Sequence, residues 1–85
     1  MKYQSAKDIN RVMRRIANSI GPSNIYYDGF KWFSKANYTT SSEFFGELRE
    51  FLLQVIHDKS MMPYHKELGE ICAMIEEALF PEKRN

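Results

Sequence analysis

The chain is poor in the residues that most small-domain chemistry needs. It has a single cysteine, Cys72, so no internal disulfide forms. Its four glycines, Gly21, Gly29, Gly46 and Gly69, stand alone, which excludes a glycine-rich phosphate cradle. Three prolines and no Pro/Gly/Ser-rich stretch leave no linker and no low-complexity segment. No apolar run approaches the ~18 residues a spanning helix requires, so no membrane partner is expected. The residues after Met1-Lys2, among them Gln4, Ser5, Lys7 and Asp8, form no apolar h-region, so no secretory leader is expected. With one free cysteine, the expected compartment is the reducing cytoplasm.

What the chain does have is aromatic mass: six Phe, five Tyr and one Trp in 85 residues. That load argues for a packed core and against disorder, and aromatics are also favoured at interfaces. The length fits one domain over 1–85, with a frayed polar tail at 82–85. A domain of this size buries only about 60–65% of the surface its unfolded chain exposes. Such domains gain stability from a disulfide, a metal or a partner chain. The first is excluded by the single cysteine. The second fails on spacing: His65 and Cys72 share a helix face but lie roughly 10 Å apart along its axis, and His57 alone does not complete a site. A homodimer is the expected route, with no metal and no cofactor.

Charge is divided unevenly. Residues 1–38 carry seven Lys/Arg against Asp8 and Asp28, a net of +5, and residues 39–85 carry five against nine Asp/Glu, a net of −4. Such a charge dipole favours steered or head-to-tail association.

Periodicity predicts a helix over Ala6–Ile20. Ser5 and Asp8 form a capping box, and Ile9, Val12, Met13, Ile16, Ala17 and Ile20 form the apolar face. Gly21-Pro22 stops it. Residues 24–36 read as a β-hairpin about Asp28-Gly29, a dipeptide suited to a type I′ turn. That register puts Ile25, Tyr27, Phe30 and Trp32 on the inner face and Tyr26, Lys31 and Phe33 on the outer. The competing reading is a short helix capped by Asp28 and running through Lys35, with Phe30, Phe33 and Ala36 inward.

A strong helix follows from Ser41 to about His57, with Thr40 and Glu43 as a capping box. Its broad apolar arc comprises Phe44, Phe45, Leu48, Phe51, Leu52, Val55 and Ile56. Leu53 lies off that arc, and Gly46 suggests a close approach by another element. Asp58–Met62 is a loop, and Pro63 opens the last helix. Tyr64, Leu68, Ile71, Cys72, Ile75, Ala78 and Leu79 line that helix, and Pro81 ends it.

The expected fold class is therefore α+β and mostly helical, in the order helix, hairpin, helix, helix. The alternative is an all-α four-helix bundle with a short second helix. A hairpin is unstable alone, so two copies are expected to join hairpin edges into a four-stranded sheet.

No catalytic residue emerges. Cys72 sits in an apolar stripe where a thiol is inert, and Glu43, Glu47 and Glu50 read as a solvated stripe. The expectation is a non-enzymatic interaction module, a regulator binding another protein. The alternative is a nucleic-acid-binding regulator that uses the basic face of the first helix. The candidate binding residues are Lys7, Arg11, Arg14 and Arg15 on that helix, with Tyr26, Lys31 and Phe33 on the outer hairpin face. Met61-Met62 and Leu53 are further candidate contact surface.

Overall fold

The computed structural model describes residues 6–35 and 42–79, the side chains of residues 6, 7, 42, 78 and 79 excepted. Ser5, Thr40, Ala36 and Pro81, and with them both expected capping boxes and the end of the last helix, lie outside the described residues. The described residues fall into two compact units. The first holds α1 (Ala6–Ile20) and α2 (Tyr27–Lys35). The second holds α3 (Ser42–Ile56), a 3-10 segment (Lys59–Tyr64) and α4 (His65–Leu79). Among the described residues there is no strand, and the class is all-α. No helix among them is long and apolar enough to cross a membrane.

In the first unit, α1 has the bounds its periodicity predicts. Ile9, Val12, Met13, Ile16 and Ala17 are buried along one face. Gly21 ends the helix at a φ of 83°, a left-handed conformation that costs an L side chain but not glycine. Its N–H donates to the Ala17 carbonyl at 3.0 Å, which satisfies a carbonyl left over by the helix end. The Gly21 carbonyl then accepts the Asn24 N–H at 3.1 Å, closing a turn with Pro22 at the position where its fixed φ fits.

The expected hairpin is absent. A type I′ turn demands positive φ at both central residues, and among the described residues Gly21 alone has one. Asn24 redirects the chain instead. Its side-chain oxygen accepts the Tyr26 N–H at 2.8 Å, and its carbonyl accepts the Tyr27 N–H at 3.0 Å. The Phe30 N–H reaches the Tyr26 carbonyl at 3.0 Å, and α2 has begun. Asp28 thus sits inside the first helical turn, where the helix dipole favours a carboxylate, and Lys35 lies in the last turn, where it favours a cation.

Helix α2 packs on α1. Its period places Phe30, Phe33 and Ser34 inward, with Tyr26 just ahead of them. Buried Ser34 is satisfied by donating to the Lys31 carbonyl at 2.7 Å. Nine residues are too few for an isolated helix, so this burial against α1 is what stabilises α2.

In the second unit, α3 packs on α4 through Leu48, Leu52 and Val55 against Leu68, Ile71, Cys72 and Ile75. Asp58 organises the connection. Its carboxylate accepts the Ser60 N–H at 2.9 Å and the Ser60 hydroxyl at 2.7 Å. Its carbonyl accepts the Met61 N–H at 3.0 Å and lies 3.0 Å from His65 Nε2. The expected loop is therefore a 3-10 segment, and Pro63 lies within it and not at the start of α4. Gly46 marks no close approach, because a Cβ built there meets nothing within 4 Å.

Candidate functional site

The basic residues of α1 lie where helical geometry sends them. Arg11, Arg14 and Arg15 are exposed, with Asn18, on the side of the helix opposite Ile9, Met13 and Ile16. Lys7 occupies the same stripe by its place in the helix. Arg11 donates from Nη2 to Asp8 Oδ1 at 3.1 Å, yet its side chain remains 70% exposed. An exposed pair of this kind contributes about 0–1 kcal/mol, so it leaves the guanidinium available to an incoming anion.

The candidates from residues 26–33 are redistributed. Tyr26 and Phe33, expected on an outer face, are core residues at 8% and 7% exposure. Lys31 is half-buried. The expected inner face is likewise overturned. Phe30 is fully buried and Tyr27 half-buried, but Ile25 is 82% and Trp32 56% exposed. The cause is the period. A strand would alternate 25, 27, 30 and 32 onto one side, whereas a helix groups 30, 33 and 34 and turns 28, 32 and 35 outward.

Trp32 is thus the residue that the strand reading concealed. It lies on an exposed stripe with Asp28 and Lys35 and rests edge-on against Phe33, ring centroids 4.9 Å apart. The available signal was the i, i+4, i+7 spacing of Asp28, Trp32 and Lys35. The α1 arginines and Trp32 each stand opposite the buried side of their own helix, so they form two surfaces of the unit and not one.

In the second unit, Glu43, Glu47 and Glu50 are all exposed on α3. Arg49 donates from Nε and Nη2 to Glu76 Oε2 at 3.1 and 3.0 Å, tying α3 to α4. Of the two methionines expected as contact surface, Met61 is core and Met62 is 61% exposed. Leu53 is half-buried. Burial pushes the Cys72 thiol above its ordinary pKa, Glu76 adds to the rise and Arg49 opposes it. That direction keeps the group protonated and weakly nucleophilic.

Among the described residues, no three His, Cys, Asp or Glu side chains gather as metal ligands. A shallow depression of about 240 Å³ is lined by Pro63, Lys66, Glu67 and Glu70. What the geometry offers is surface: an arginine face, a tryptophan stripe and a glutamate stripe. No protein-family model, no curated protein and no solved structure matches the chain.

Proposed function

We propose that the chain is a non-enzymatic interaction module that acts in the cytoplasm by binding another protein, and that it self-associates. The observation that carries this reading is the exposure of Ile25 and Trp32. Large apolar side chains left in water on a small helical unit favour a partner that covers them, and tryptophan and arginine dominate binding energy at interfaces. The contact residues are Ile25, Trp32, Lys31 and Lys35 at α2, with Arg11, Arg14 and Arg15 on α1. Tyr26 and Phe33 belong to the core and leave the set. Among the described residues no hairpin edge is available for self-association, so the proposed contact uses α1, α2 and the turn before α2.

A photo-crosslinking residue at position 32, expressed in the full chain in its own cells, tests this. One discrete, nuclease-resistant protein adduct is expected. The absence of any protein adduct sinks the reading.

The outward arginines of α1 favour a second reading, binding to a nucleic acid backbone. A binder that neutralises several phosphates weakens by orders of magnitude between about 50 and 200 mM salt. Anisotropy titration against mixed DNA and RNA, with no binding at the lower salt, removes it.

A further inference from the structure

Two charge stripes on this chain have the same spacing and opposite sign. On α1 the cations stand at Lys7, Arg11 and Arg14, and on α3 the carboxylates stand at Glu43, Glu47 and Glu50. Both follow the steps +4 and +3. At about 1.5 Å per residue, each set falls at roughly 0, 6 and 10.5 Å along its axis. Laid side by side in parallel, the two sets coincide. Laid antiparallel, the central pair is offset by only about 1.5 Å. Arg11, Arg14 and all three glutamates are exposed.

The flank of the glutamate stripe suits a helix approaching closely. Gly46 lies beside it, and a Cβ there would meet nothing within 4 Å. Half-buried Leu53 continues that edge, at the spacing 46, 50, 53, and supplies apolar contact. Packed helices lie about 8–10 Å apart, a span that Arg and Glu side chains bridge.

We infer that the basic stripe of α1 in one copy docks on the glutamate stripe of α3 in a second copy of this chain. The inference rests on the protein-binding reading and names the partner of its arginine face. Individual exposed ion pairs contribute little, so the matched spacing sets register and association rate, and the contact is sensitive to salt. Two reciprocal contacts close a dimer, and single contacts propagate head to tail.

The test is light-scattering mass of the full chain at high micromolar concentration. At low salt the mass rises towards twice the 10.1 kDa of the chain, or beyond it with concentration if contacts propagate. Between about 20 and 300 mM salt, as the Debye length shortens, the apparent dissociation constant rises by about tenfold or more. Arg11→Glu with Arg14→Glu gives a monomer, and so does Glu47→Lys with Glu50→Lys. An equimolar mixture of the two variants regains the mass. If either reversal lowers helical circular dichroism, Arg11→Gln with Arg14→Gln and Glu47→Gln with Glu50→Gln replace them, and each weakens association.

A wild-type monomer at every concentration overturns the inference. So does a reversal variant that keeps the wild-type mass, or a pair of monomeric variants whose mixture stays monomeric. If the inference fails while a heterologous protein adduct at position 32 persists, the protein-binding reading survives without self-association.

Discussion

The two units are built from the same parts, a pair of packed helices each, and differ in charge and in what joins the pair. Residues 6–35 carry six Lys/Arg against Asp8 and Asp28, whereas residues 42–79 carry Arg49, Lys59 and Lys66 against eight Asp/Glu. In the basic unit the connection is a left-handed glycine at Gly21 and a side-chain-capped turn at Asn24, without a 3-10 segment, and the short second helix is fixed by three aromatics, Tyr26, Phe30 and Phe33. In the acidic unit the connection is a side-chain cap at Asp58, and the core is spread over aliphatic residues on both helices. Both units bury an apolar set of similar size, yet the basic unit leaves Ile25 and Trp32 in water, whereas the acidic unit leaves Met62.

Core truncation gives the largest expected effect. Phe30→Ala removes a fully buried ring from a helix too short to stand alone and is expected to cost about 3–5 kcal/mol. Leu52→Ala in the acidic unit is expected to cost about 2–4 kcal/mol, because neighbouring aliphatics relax into the space. Urea unfolding followed by circular dichroism measures both. The contrast between the units breaks if Leu52→Ala proves the costlier change.

Glycine substitution sharpens the contrast by sign. Gly21→Ala forces a side chain into the left-handed region and is expected to destabilise by about 1–2 kcal/mol. Gly46→Ala meets open space in a helix interior and is expected to stabilise by about 0.5–1 kcal/mol. Thermal melts of the two variants should therefore move in opposite directions from wild type.

The smallest effect is confined to the acidic unit. The Cys72 thiol has a folded pKa raised above its unfolded value, chiefly by burial. Its contribution to stability is therefore complete below the unfolded value and is lost as pH rises through the folded one. Stability measured against pH should fall more steeply above that point in wild type than in Cys72→Ala. Equal slopes would mean that the thiol is not the titrating group.

The legible parts of this fold are those where one signal has one meaning. Helix α1 carries a single apolar face and a Gly-Pro stop, and its bounds are those of its sequence pattern. Helices α3 and α4 announce themselves by the same spacing, with ends displaced by a residue or two where Pro63 joins a 3-10 segment. Asp28-Gly29 carries two meanings. The pair suits a hairpin turn, and aspartate also suits the first turn of a helix. Nothing local separates them, and the choice inverts which aromatics face water. The arginine stripe was legible because α1 was. Trp32 was not, because its exposure depends on the element assigned to residues 27–35.

The sequence by itself determined the amphipathic helices, the opposite charge of the two halves and the matched spacing of the two charge stripes, since these depend only on residue order and helical period. Only the tertiary structure decided that residues 27–35 form a helix, that Tyr26 and Phe33 are core and that Ile25 and Trp32 reach solvent. The physical reason is burial. A nine-residue segment has too little intrinsic preference to fix its own conformation, and α1 supplies the apolar face against which a helix buries Phe30 and Phe33 and satisfies Ser34.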